Sequence, residues 1–234
     1  MKIYTNEKLV KRNSRIGQIA SILSLLILAA GMFYSFKDTT GAYVSLTFGA
    51  LVVGFLLFQF GNYYLSRWGK SPRPDELLSA ALKGLDNTYT IYHYSTPIFH
   101  LLVGQSGCFA LLPYNQAGKI FYDTQRKRWR QVGGNAFLKF FGNEGLGRPD
   151  LEAQYTQADL AKYVQKLGLD PAPLTENVIL VFTNAKTDVD LDNTPSLATT
   201  GEKLKDYLRK KAKENPIPAD WIDEFRSKLP QENK

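Results

Sequence analysis

Two stretches of this chain gather cations in patterns that a phosphate backbone would recognise. Arg126-Lys127-Arg128-Trp129-Arg130 sets an indole among four positive charges. Lys and Arg neutralise phosphates, and an indole face stacks a base. Further on, Lys203, Lys205, Arg209, Lys210, Lys211 and Lys213 crowd a helix over 201–214 whose narrow apolar stripe is Leu204 and Leu208. Joined on one surface, the five-residue cluster with Lys210 and Lys211 would bind nucleic acid or another anionic surface. Taken separately, the first cluster reads as a solvated loop or edge strand whose charges block sheet-to-sheet pairing.

Metal and nucleophilic chemistry have less to work with. One cysteine, Cys108, allows no internal disulfide, and its apolar surroundings predict a buried small hydrophobe. His93 and His100 stand without a Cys cluster, so zinc has no ligand set. Asp188, Asp190 and Asp192 alternate with Val189 and Leu191, but the glycine and terminal glutamate of a calcium loop are missing, and a strand with a solvated face is expected. The glycine-rich stretch 133–147 lacks the Gly-Lys-Ser/Thr ending of a phosphate loop. It reads as a short helix faced by Phe137, Phe140 and Phe141. No metal and no cofactor is expected.

The elements that would position these residues are readable from periodicity. Asp75 and Glu76 open a helix with Leu77, Leu78, Ala81, Leu82 and Leu85 at helical spacing, and acidic residues suit its first turn. Residues 88–94 alternate as a strand. The stretch 98–120 holds three strand-forming pieces, with a Gln105-Ser106-Gly107 turn between the first two. In the second piece Cys108, Ala110, Leu112 and Tyr114 share one face while Phe109 and Leu111 share the other. Both faces are apolar, which places this hairpin inside a covered sheet. A helix over 151–167, a buried strand at 177–182 and a last helix at 219–229 follow.

Ahead of all this lie two charge-free runs, residues 16–36 and 39–66, split by a turn holding Lys37 and Asp38. A bilayer core needs roughly 20 apolar residues in a helix. The runs therefore read as a transmembrane hairpin with spans at 16–36 and 42–65. A cleavable signal ending at Ala29-Ala30-Gly31 fits less well, because hydrophobicity continues past it and a second run follows. Lys2, Lys8, Lys11, Arg12 and Arg15 precede the first span, and Arg67, Lys70 and Arg73 follow the second. That bias predicts a cell-membrane protein with both termini cytoplasmic. Of the formal +7, residues 1–69 carry +5, so most of the basic excess belongs to topology and anionic lipid rather than to nucleic acid. Gly41, Ser45 and Gly49 recur every four residues and line a face for a neighbouring helix, from the first span or from a second protomer. The chain thus divides into a basic N-terminus (1–15), the hairpin (16–66), a linker (67–74) and a cytoplasmic domain (75–234).

The run His100-Leu101-Leu102-Val103-Gly104, with Gly107, Phe109 and Gly118 in register behind it, resembles the core pattern of the NERD (nuclease-related) domain. The resemblance covers roughly residues 75–208. It implies an α/β domain with a restriction-endonuclease-like mixed sheet flanked by helices. The family's charged positions are altered here: Phe99 stands for its Asp, and Leu112 and Tyr114 for its Glu and Lys. The resemblance also brings a Glu of the first helix, here Glu76, towards the site, and matches Gln154 to a helical Gln. Phe99, Leu112 and Tyr114 should form a small apolar floor that excludes a hydrated cation. The expected function is a membrane-anchored binding or scaffolding module, for nucleic acid or a partner protein, without nuclease activity. A hydrolase using relocated Glu76, Asp123 and Lys119 is the alternative, and a protein-only membrane assembly component is another.

Overall fold

The computed structural model describes residues 1–38, 40–134, 145–174, 176–214 and 217–230. They form two compact units, one of residues 7–73 and one that joins residues 1–6 to the chain from Pro74 onward.

The first unit is a helical hairpin. Helix α1 runs Glu7–Lys37 and α2 runs Val44–Tyr64, continuing through a π-turn at Leu65–Gly69. Both helices are long and apolar enough to cross a bilayer, and α1, at 1.5 Å per residue, is about 46 Å long. Residues 7–15, expected as a separate basic segment, are the first turns of α1. Asp38 closes the connection, its Oδ2 accepting from the Tyr43 N–H at 2.8 Å and its Oδ1 from Ala42 at 3.0 Å.

Missing side chains let the two helices meet. A Cβ added at Gly31 would lie 2.8 Å from the Ala50 Cβ, and one at Gly61 would lie 2.9 Å from the Ser21 backbone nitrogen. The stripe Gly41, Ser45, Gly49 does not make this contact. Gly41 sits in the turn with φ +78°, outside α2, and among the described residues no atom comes within 4 Å of a Cβ built at Gly49. A turn glycine breaks the helical phase that the spacing assumed.

The second unit is a mixed α/β fold around a six-stranded sheet. Its strands are β1 (Lys2–Thr5), β2 (Thr90–His93), β3 (His100–Gly104), β4 (Gly107–Tyr114), β7 (Val178–Phe182) and β9 (Ala198–Thr200), in that order. The β2/β3 and β3/β4 pairs are antiparallel, whereas β1 runs parallel to β2, and β7 parallel to both β4 and β9. Helix α3 (Pro74–Leu82) precedes β2, and α4 (Pro149–Lys166) lies between β4 and β7 in sequence. Helices α5 (Leu204–Glu214) and α6 (Ala219–Ser227) complete the unit.

Alternation decides what each face buries. Leu101, Val103, Cys108, Ala110, Leu180 and Phe182 form one cluster with Leu160 and Val164 of α4 and Phe225 of α6. Ile91, Leu102, Phe109, Leu111, Ile179 and Val181 form the other with Leu78 and Leu82 of α3 and Leu204 and Leu208 of α5. The expected division of the 108–114 strand between two faces is the observed one.

Two features depart from the expectations. β1 was read as part of a basic tail, yet it pairs Lys2 through Thr5 with Thr90 through His93, and Tyr4 stacks on Tyr92 at 5.2 Å. The third strand-forming piece, β5 (Gly118–Asp123), leaves the main sheet, because β7 occupies the free edge of β4. It joins β6 (Arg128–Val132) and β8 (Thr187–Val189) in a second sheet of order β6-β5-β8. The helix expected around Phe137, Phe140 and Phe141 lies outside the described residues.

Candidate functional site

The positions to which the resemblance assigns chemistry lie where β3 begins and β4 ends. Phe99, just before β3, is 46% exposed and meets the Tyr94 ring edge-on at 6.0 Å. Leu112 is partly buried against the Leu101 cluster. Tyr114 is buried, its ring 5.6 Å from that of Phe182. Its hydroxyl donates to Glu152 Oε2 of α4 at 2.6 Å, a charge-assisted distance. The expected apolar floor is therefore corrected. A carboxylate comes to the Tyr114 position, but it is engaged by a phenol rather than presented beside a second acid.

A buried polar chain lies beside β2 and β3, and the spacing of the two histidines did not announce it. β2 and β3 pair His93 directly with His100, and their Nδ1 atoms stand 2.9 Å apart. One must donate and the other accept, so a single proton is shared. The Nε2 of His93 lies 2.9 Å from Ser79 Oγ on α3. The Tyr94 hydroxyl donates to Asp75 Oδ1 at 3.4 Å, and Tyr94 holds φ +57°, a costly value for a non-glycine residue.

Ser79, His93 and His100 follow one another as a nucleophile, a base and an orienting group would. Acyl transfer needs donors for an oxyanion as well. Ser79 lies inside α3, where its own backbone N–H and that of Ala80 serve the helix. His93 is fully buried. The chain is thus built to tie α3 to the β2/β3 strands. Asp75, which the resemblance did not single out, is the buried acid of α3, and Glu76 is half-exposed.

The remaining expected site residues are scattered. Asp123 accepts from the Arg126 N–H at 3.0 Å and pairs with Arg130 at 3.4 Å. The Arg126 amide, helped by Arg130, holds its carboxyl below the usual carboxylate range. Lys119 is exposed on β5 in the second sheet, and Glu76 is on α3, so the three candidates for relocated catalysis do not converge. Gln154 is exposed on α4, while Gln157 does the structural work, its amide oxygen accepting from the Asn177 N–H at 3.0 Å. Among the described residues no group of three or more His, Cys, Asp or Glu side chains is arranged to hold a metal.

The two cationic segments are also separated. Trp129 is buried, 5.3 Å from the Phe182 ring and 6.0 Å from Tyr122, so it packs rather than offering a face to a base. It belongs to the Leu101 cluster. Leu204 and Leu208 anchor the basic helix α5 in the cluster on the opposite face of the main sheet. Within α5, Lys205 Nζ donates to the Lys83 carbonyl at 3.0 Å, and Arg209 to that of Gly84 at 3.4 Å. These cations satisfy the carbonyl end of α3, where positive charge is favoured. Lys210 pairs with Glu214 at 3.6 Å. Arg126, Lys127, Arg128 and Arg130 on one side and Lys210 and Lys211 on the other therefore do not make one surface.

Cys108 is buried in β4, and desolvation pushes its thiol well above the usual range, which leaves it unreactive. A cleft of about 370 Å³ opens where β7 and β9 end, lined by Phe182, Thr183, Asn184, Thr200, Gly201 and Lys205 among others. Comparison of the chain with known protein families, with curated proteins and with solved structures finds no match.

Proposed function

We propose that this chain is a two-span membrane protein whose cytoplasmic domain is a restriction-endonuclease-like module, similar to NERD domains, that binds a protein partner and does not cut nucleic acid. The observation that carries the reading is the Tyr114–Glu152 hydrogen bond at 2.6 Å. A metal nuclease needs hard oxygen ligands and a cation or base for the attacking water. Here a phenol occupies the position of the family's lysine and its proton engages the nearest carboxylate. Leu112 and Phe99 supply no ligand.

Two further observations support the reading. The order α3-β2-β3-β4-α4-β7, with β7 parallel to β4, is a mixed sheet flanked by helices, in keeping with what the resemblance implies. β1 precedes both apolar helices yet pairs with β2, which follows them, and this agrees with two spans that return the chain to one side. A protein partner is favoured over nucleic acid because the basic segments lie on opposite faces of the sheet and Trp129 is buried.

The test uses the full chain in mild detergent with labelled DNA and RNA and either magnesium or manganese. Both nucleic acids should stay intact. Metal-dependent cutting that Glu152→Gln or Glu76→Ala abolishes would sink the proposal. Cysteine labelling of intact cells checks the topology: Thr40→Cys should react from outside and Lys203→Cys should not.

A further inference from the structure

The helical hairpin carries a concavity of about 760 Å³ at the end where α1 begins and the π-turn ends. We infer that it is a headgroup site for an anionic glycerophospholipid. This rests on the two-span reading above.

Four cations line it, Lys11, Arg12, Arg15 and Arg73, against one carboxylate, Glu7. Positive residues beside a span are ordinary topology signals, and solvated charges would serve that purpose equally well. What sets these apart is that they share one concavity with Trp68, Val10, Ile16 and Ile19. Lys11, Arg15 and Ile19 follow at four-residue steps and so lie on one face of α1, each about 6 Å further along. Along that face the lining passes from charge to hydrocarbon, the same order as phosphate and then acyl chain in a lipid.

The opposite wall comes from the π-turn. Trp68 packs its ring 5.1 Å from Tyr64, and a Cβ at Gly69 would lie 3.3 Å from Ser14 Oγ, so glycine lets the turn close on α1. A guanidinium fork matches phosphate oxygens in a bidentate geometry, and two arginines of α1 with Arg73 provide such forks from both walls. A soluble phosphate would gain from the cations but nothing from the exposed Ile16 and Ile19. The apolar half of the lining therefore selects a lipid over a free anion.

The experiment is native mass spectrometry of the full chain in neutral detergent, titrated with phosphatidylglycerol or phosphatidylcholine. Phosphatidylglycerol should be retained preferentially. Lys11→Ala with Arg15→Gln should lower that preference about thirtyfold, since each cation near an anionic headgroup contributes roughly fivefold. Lys8→Ala, on the same helix but outside the lining, should leave it unchanged. Arg15→Lys should fall between, losing the fork and keeping the charge, and helical circular dichroism shows whether each variant folds. Equal loss in Lys8→Ala would overturn the inference in favour of diffuse charge. Displacement of the lipid by inorganic phosphate or glycerol 3-phosphate would assign the site to a soluble anion and overturn it too. Alkaline carbonate extraction separates the premises: release from membranes sinks the two-span reading and this site together. Retention without lipid preference sinks this site alone.

Discussion

In the helical hairpin α1/α2 the two backbones approach where side chains are absent: Gly17, Gly31, Gly54 and Gly61 all sit where an added Cβ would find an atom of the other helix or of the π-turn within 3 Å. In the β3/β4 hairpin the strands are held by what the side chains fill, since Leu101, Leu102, Val103, Cys108, Ala110 and Leu111 are almost wholly buried on two faces. The contrast is the one expected if the helical hairpin lies in lipid, as proposed above, and the strand hairpin in a domain surrounded by water. Between helices in lipid, apolar surface gains nothing by leaving an equally apolar solvent, so close packing decides. In water, the area removed from solvent decides. One hairpin should thus be intolerant of added atoms and the other of removed ones.

The largest effect tests the second half of that statement. Leu102 on β3 is fully buried against Leu78 and Leu82 of α3 and the Ile179 strand. Leu102→Ala should cost about 2–5 kcal/mol, the transfer term plus the cavity left behind. Denaturant unfolding of the full chain in detergent, followed by fluorescence of the buried Trp129, measures it. A loss under about 1 kcal/mol would mean that this core relaxes around the gap and that the comparison is wrong.

How much of this was legible in the sequence depends on the distance over which a residue finds its partner. The two faces of β4 and the buried strand at Val178–Phe182 followed from period-two alternation, and the covering helices from leucines at helical spacing. Such signals are local. β1 was missed because four residues ahead of a helix carry no period, and Thr90, the partner of Lys2, lies beyond both apolar helices. The Tyr114–Glu152 pair joins residues 38 apart on different elements, and alternation says nothing of it. The histidine pair was closer to reach. A hairpin between the 88–94 strand and the next one, counted in register, brings His93 opposite His100. The departure of β5 into its own sheet needed the knowledge that β7 takes the edge of β4. The stripe at Gly41 does not line the α1/α2 contact because a glycine with φ +78° belongs to the turn, and helical spacing cannot be counted through it.

The second prediction probes intolerance to added atoms within α2. Gly61→Ala puts a methyl 2.9 Å from the Ser21 amide nitrogen and 3.1 Å from the Gly17 carbonyl oxygen, both backbone atoms that move only with their helix. Overpacking of this kind costs about 1–3 kcal/mol. Gly49→Ala adds the same methyl into open space and should stay within about 0.5 kcal/mol, or gain slightly from helix propensity. Unfolding in mixed detergent micelles, read as loss of helicity, compares the two. Equal costs would show that propensity rather than contact governs the helices. One residue sharpens the comparison from the other side. Gly104 ends β3 with the Tyr89 ring where its Cβ would be, so even the strand hairpin has a point that tolerates no addition.

The smallest effect separates the two regions by pH. Asp150, in the first turn of α4, is gripped by Arg148, whose Nη2 donates to Oδ2 at 2.8 Å. That side-chain hydrogen bond, outweighing the opposing desolvation, holds its carboxyl below the usual carboxylate range. A folded value below the unfolded one of about 3.9 means that the carboxylate's stabilisation is fully present above pH 4 to 5. It is lost as pH falls through the folded value, because the native state must then take up a proton that the unfolded state already holds. The Arg148 side chain is half-exposed, so solvent screens the pair and the effect stays near the low end for ion pairs, under about 1 kcal/mol. Asp150→Asn should accordingly be less stable than the parent near neutrality. The difference should shrink as pH falls through the folded value, where the parent's carboxylate takes up its proton. The interior of the helical hairpin has no carboxylate between Gly17 and Phe36 or between Val44 and Tyr64, so its helicity should not change over the same titration. Acid that melts the hairpin before the α/β unit would show that its stability draws on charges at its ends rather than on the contacts at Gly31, Gly54 and Gly61.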